Sequence, residues 1–330
     1  MNNYRIFFII ITIMVSILFP RDFDYRDIPI QENGRIKPLD TFARNHLLSI
    51  YSKRSLKTSE INNNSNGNKL SAIDWFFDIS LYPNDADKYK VFNIRNPEVV
   101  GSLGLVWDTD HLYNRNEILI GLQSQMDYIA KIQTLPEADL LPFDRQIFHI
   151  YSNVIHFQEI CYSFSCLIDL IEIQDKVIAE ALGIKVGDRV SYYDVMKNAS
   201  ALKPYIANLT DKKENKWTDS DWALSKIITE LNEISQDKFA RLVKVIPPEN
   251  AIAEENWLSP WELMDNQQIG VKQNQILNVL SNYLNARLNG KELLAKNALA
   301  EYKEALAPYH NLFNIKRIKT ETGYNDANLF

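Results

Sequence analysis

The stretch Pro142–Leu182, PFDRQIFHIYSNVIHFQEICYSFSCLIDLIEIQDKVIAEAL, decides the fold class. Its apolar residues recur at the three-and-four spacing of an amphipathic helix, and Gly183 supplies a stop. The pattern predicts one long helix over 142–182, the central pillar of the molecule. Working outward, Ile118, Leu119, Leu122, Met126, Ile129 and Ile132 keep helical spacing on one side. On the other, Asp219-Ser220 open a helix bearing Trp222, Leu224, Ile227 and Leu231, followed by helices over Ile276–Leu288 and Leu293–Leu306. The sum is mainly α. With 330 residues, 46% hydrophobic and 24% charged, the chain can bury a real core, which excludes a disordered tail, a collagen-like rod and a polytopic membrane protein.

The N-terminal part has a different texture. Arg5 precedes an uncharged run, Ile6–Phe19, shorter than the roughly 20 residues that span a bilayer comfortably. Bulky Ile17-Leu18-Phe19-Pro20 replaces the small residues a signal peptidase needs, so residues 1–20 read as an uncleaved membrane anchor or signal-anchor helix. Positive charge before the run places the remaining body outside the cytoplasm. Ile28–Lys37 then carries Asn33-Gly34 between short apolar arms, which predicts a β-hairpin with a type I′ turn. Pro38 and Asp40 suit the start of a helix reaching about Tyr51. Polar residues over 55–70 predict a flexible insertion, after which Ser71-Ala72-Ile73-Asp74 opens a helix with Trp75, Phe76 and Phe77. The polar stretch Asp211–Asp219 is the candidate boundary between a helical lobe over 21–210 and a second over 211–330. The expected fold is a multi-helix extracytoplasmic domain with a small N-terminal hairpin on a single membrane tether.

Chemistry is sparsely signalled. A net charge of −6 without a Lys/Arg block leaves nucleic acid no electrostatic footprint. Phosphate loops, nucleophile elbows and His-Glu-x-x-His helices are absent, and five histidines and two cysteines give no metal constellation, so no catalytic or metal-ligating residue is assigned. His149 and His156 lie about two turns apart on one helix face with Asn153 between them; they read either as a polar stripe or, with Glu159, as haem ligands. Cys161 and Cys166, on the same predicted helix, read as buried small apolar residues beyond disulfide reach. Trp257 and Trp261, flanking Leu258-Ser259-Pro260 and close to Pro247-Pro248, form a candidate aromatic surface.

The string Gly34-Arg35-Ile36-Lys37-Pro38-Leu39-Asp40-Thr41, within IPIQENGRIKPLDTFARNHLLS at 28–49, resembles the extracytoplasmic segment of System II, CcsA-type, cytochrome c biogenesis proteins. Weaker likeness follows at Ala72–Phe77, Phe92–Glu98, Leu103–Leu105 and Pro142–Gln146. Glu321, Tyr324 and Asn325 look like the Glu-x-x-Tyr-Asn element that precedes the family's first core membrane helix. The Trp-Trp-Asp motif and membrane histidines of that family are not in this sequence. The resemblance therefore implies an accessory domain of cytochrome c maturation, with the membrane core beyond Phe330 or on a separate chain. It implies as partners a haem-handling membrane core, a ResB-like protein and apocytochrome c, with haem entering through the membrane partner or the missing core and no cofactor assigned to this chain itself. Gly34, Arg35, Lys37, Pro38, Asp40 and Thr41 become binding or structural motif residues, with Arg35 and Lys37 offering positive charge to haem propionates or a partner. The alternative expectation is a membrane-tethered periplasmic scaffold that recognises a peptide or small ligand through Trp257 and Trp261, unrelated to haem.

Overall fold

The computed structural model describes residues 22–57, 69–250, 252, 255–266 and 269–327. The expected anchor over 1–20 lies outside the described residues. Among those described, no helix is long and apolar enough to cross a membrane.

The hairpin forms as its sequence dictates. Asn33 and Gly34 take φ of +52° and +74°, the paired positive angles a type I′ turn requires. Strand β1 (Pro29–Glu32) therefore pairs antiparallel with β2 (Arg35–Pro38), with Ile30 opposite Lys37 and Glu32 opposite Arg35. Pro38 ends β2 in extended geometry, and helix α1 (Leu39–Tyr51) starts after it, burying Leu39, Phe42, Ala43, Leu47 and Ile50 on one face. Ser52, in the left-handed region, closes α1 by donating its N–H to Leu48. The insertion is ordered at both ends: β3 (Ser55–Lys57) pairs with β4 (Lys69–Ser71), and residues 58–68 lie outside the described set. Buried Leu56 pins this pair, an effect that the polar composition of the whole stretch conceals. The hydroxyl of Ser71 accepts from the Asp74 N–H at 3.2 Å and caps α2 (Ala72–Leu81), which buries Trp75, Phe76 and Phe77.

Strand β5 (Phe92–Asn93), helix α3 (Pro97–Ser102), strand β6 (Leu112–Tyr113) and helices α4 (Arg115–Ser124) and α5 (Met126–Gln133) lead to α6 (Pro142–Tyr162). The predicted pillar ends there, twenty residues before Leu182. Ser163 donates its hydroxyl to the Glu159 carbonyl and Ser165 to that of Tyr162, so side chains take up carbonyls of the last turn. Phe164, Cys166, Leu167 and Ile168 then bury themselves from a tight turn instead of a helix face. Apolar recurrence alone cannot separate these two outcomes. The chain continues through β7 (Ile171–Glu172), α7 (Lys176–Leu182), β8 (Arg189–Val190), α8 (Tyr192–Lys197), α9 (Ala199–Asp211) and α10 (Asp219–Ser235).

Lys244 and Ile246 make single antiparallel bridges to Gln31 and Leu258. Helices α11 (Pro260–Met264), α12 (Val271–Leu288), α13 (Glu292–Ala305) and α14 (Ile315–Asp326) complete the chain. The architecture is mainly helical, with small antiparallel strand pairs at its turns. One large core joins the hairpin, α1, α2, α6, α12 and α13. A smaller one gathers Ile171, Ile178, Val190, Val195, Leu202, Leu209, Leu224 and Ile227, from both sides of residue 211.

Helix α4 packs so closely on the end of α3 that a Cβ at Gly121 would stand 2.3 Å from the Leu103 carbonyl oxygen and 2.9 Å from its Cβ. Gly101, within α3, has open space around the same position. Gly121→Ala should lose about 1–3 kcal/mol through overpacking and melt at lower temperature, while Gly101→Ala melts at or above the wild-type temperature. Thermal melts of the two variants check this directly.

Candidate functional site

The motif at 34–41 and the one near 321–326 lie 280 residues apart in sequence and touch in space. Helix α14 packs across β2 and the first turn of α1. Thr41 donates its hydroxyl to Glu321 Oε1 at 2.9 Å and accepts from Asn325 Nδ2 at 2.9 Å. The same Asn325 amide donates to Asp40 Oδ2 at 2.8 Å, and Arg44 Nε reaches that oxygen from one turn on, also at 2.8 Å. Arg35 pairs with the second oxygen of Glu321. Arg26 bridges Asp24 and Asp326, at 2.8 Å to each. Arg44 stands 4.0 Å from Asp326, so both arginines converge on the end of α14. Asp40 is 1% exposed, and its Oδ1 has no hydrogen-bond partner among the described residues, leaving one open acceptor beneath the helix start.

Lys37 points the other way. It pairs with Glu32 across the hairpin, and Glu32 Oε1 meets His46 Nε2 at 2.7 Å. The His46 ring lies tilted against Phe42, with centroids 4.2 Å apart, and meets the edge of His156 from α6 at 5.5 Å. Asn153 Nδ2 lies 3.1 Å from His149 Nε2 and donates to the Ser49 carbonyl, while Asn153 Oδ1 accepts from the Ser49 hydroxyl. The histidine stripe of α6 is thereby tied to α1 through its middle residue. Burial alone would raise the Glu32 carboxyl, but hydrogen bonds from His46 and Lys37 outweigh it and hold the group down at about 2. Burial, with the His46 charge behind it, lowers His156, and burial raises Glu159.

Each sequence-predicted residue thus has a definite place. Gly34 supplies the hairpin turn and Pro38 the extended entry to α1, while Arg35, Asp40 and Thr41 contact α14 and Lys37 serves the buried pair. His149 is exposed and His156 half-buried. Neither histidine lines the cavities of about 1020, 630 and 410 Å³; the smallest of these lies against the hairpin and α14, with Gly34, Arg35 and Trp257 in its wall. No grouping of three or more His, Cys, Asp and Glu that could hold a metal occurs among the described residues. One ring faces the edge of His46 and the other contacts Asn153, so the two histidines do not converge on a shared cavity among the described residues.

Trp257 and Trp261 require a correction, being 1% exposed each and offering no surface. Trp257 packs against Phe313 at 5.6 Å; Trp261 packs against Tyr192 and donates its indole N–H to the Tyr162 carbonyl. Large apolar rings with partners in reach are buried, and the neighbouring prolines are buried with them. Cys161 lies in the last turn of α6 and Cys166 in the turn beyond it, so they do not share a helix; both are free and fully buried. Burial pushes the Cys161 thiol up to about 12 and that of Cys166 up further.

Sequence reasoning missed the partners. Glu32 and His46 are joined only when β1 folds beside α1, and the Arg26–Asp326 pair spans 300 residues, so neither leaves a local signal. No family model, curated protein or solved structure matches this chain.

The Glu32 pairing has a pH signature. A carboxyl held below its unfolded value of 4.5 adds stability that is fully present above pH 4.5 and lost as the pH falls through 2. The melting-temperature gap between wild type and Glu32→Gln should be widest from pH 5 to 6 and narrow steadily below 4.5. A gap that stays constant with pH contradicts the pairing.

Proposed function

We propose that the chain is an extracytoplasmic accessory domain of cytochrome c maturation, attached to the membrane through the run before residue 22 and docked to a haem-handling membrane core. One observation supports this above the others. The residues that carry the resemblance, at 34–41 and 321–325, are those that close on each other in the fold, and Arg26 ties Asp24 to Asp326. An anchor entering at residue 22 and a membrane segment following α14 would then meet the bilayer on one face. Haem stays with the membrane partner in this reading, and His149 and His156 serve the packing of α6 beside α1. The domain contributes orientation: a clasped pair of ends that holds the body upright over the core, where a ResB-like protein and apocytochrome c meet it. The scaffold alternative loses its recognition surface with the burial of Trp257 and Trp261.

The test is genetic and charge-based. Deleting the gene should abolish or strongly reduce covalently haem-stained c-type cytochromes. Arg35→Glu should lower that yield in a protein that still folds, because Arg35 is 55% exposed, and Arg35→Glu with Glu321→Arg should restore it. Normal holocytochrome in the deletion strain contradicts the proposal.

A further inference from the structure

The cavity of about 1020 Å³ lies among α2, α12, α13 and the segment Asp22–Tyr25. Its size is at the upper end of small-molecule pockets, roughly 300–1,000 Å³. The floor is apolar and aromatic, with Phe77, Leu81, Tyr283 and Leu299 all buried beneath it. Arg287 lies over the rings of Tyr25 and Phe77, 4.7 and 4.5 Å from their centroids, and pairs with Asp74 at 3.5 Å. The guanidinium in the groove is therefore already neutralised and roofed by rings.

The remaining charges on the helix walls are an acidic residue on α2 and, on the α13 side, Lys291, Glu292, Lys296 and Lys303. On α2, Asp78 is half-buried and has no hydrogen-bond or ion-pair partner among the described residues. On α13, Lys296 and Lys303 line the groove two turns apart, likewise without an ion-pair partner among the described residues. A half-buried carboxylate without a donor is costly unless something supplies one. Burial, followed by the nearby Asp85, raises the Asp78 carboxyl, against the Arg287 and Lys88 charges that pull it down.

We propose that this groove binds a zwitterionic phospholipid with a primary-amine head: an acyl chain on the Phe77–Leu299 floor, the ammonium at Asp78 and the phosphate at Lys296 and Lys303. The head group is argued from the walls. A purely anionic lipid brings no donor to Asp78 and meets Asp22, which also lines the groove, while Glu292 on the far wall is offset by the adjacent Lys291. A quaternary choline carries charge but no N–H to donate to Asp78. The site stands on its own geometry; only the supply of lipid rests on the membrane-attached reading, which would set Asp22 and Phe23 at the head-group layer.

Native mass spectrometry of the full chain, released from mild detergent with added dioleoyl lipids, tests the assignment without reference to cytochrome yield. Phosphatidylethanolamine should leave a one-to-one adduct about tenfold more abundant than phosphatidylglycerol or phosphatidylcholine, as expected for one charge-assisted hydrogen bond. Asp78→Asn should erase that preference. Lys296→Glu with Lys303→Glu should remove the adduct. Ala300 is an exposed residue on the groove wall, so Ala300→Trp should fill the groove and abolish binding with the melting temperature unchanged. Equal or tighter binding of phosphatidylglycerol overturns the head-group assignment. Absence of an adduct, or one that persists in Ala300→Trp, overturns the site.

Discussion

The polar contact between the first turn of α1 and the last helix is the constraint on which the arrangement of this protein depends. Asp40 is buried at a helix N-terminus, where a carboxylate is favoured by the backbone N–H groups, yet burial requires donors for its oxygens. Arg44 supplies one from within the helix and Asn325 another from the far end of the chain. Helix α14 buries only Ile318 and Thr322, so little apolar area holds it in place. Its position is set mainly by Glu321, Asn325 and Asp326, each bonded to a residue between 26 and 41. The hairpin in turn is held to the core by the Glu32 carboxylate, which joins Lys37 to His46 and sets the face of α1 that meets α6.

Two polar systems thus meet on one short helix and serve different ends. The outer one, Arg26, Arg35, Asp40, Thr41 and Arg44, joins the two termini of the described chain. The inner one, Glu32, Lys37, His46 and His156, joins hairpin to core. Arg35 is open to solvent while Lys37, two residues on along the same strand face, is buried, because burial rises along β2 from the exposed turn toward the start of α1. In the proposed role, the outer system is the part that orients the domain toward a membrane partner, and the inner one keeps the hairpin rigid enough to transmit that orientation.

Much of this was legible in the sequence where the signal is local. Asn33-Gly34 dictates the hairpin, Ser71 caps α2, and the apolar spacing gives the mainly helical class. The pillar failed because a buried turn at Phe164–Ile168 carries the same apolar density as a helix face, and the serines that end α6 announce themselves only through the carbonyls they meet. Trp257 and Trp261 failed because exposure depends on Phe313, Tyr192 and Tyr162, none of which is nearby in sequence. The motif 34–41 was found as a string, but its partners Asn325 and Glu321 became contacts only through closure of the whole chain, a long-range event that no periodicity encodes.

The measurement that bears most directly on this account is a double-mutant cycle between Asp40→Ala and Asn325→Ala, read by denaturant unfolding of the full chain. If the contact at 2.8 Å holds α14 in place, the two changes are non-additive, with a coupling of about 0.5–3 kcal/mol. Additive losses would contradict the account, since α14 would then be positioned by something other than the first turn of α1.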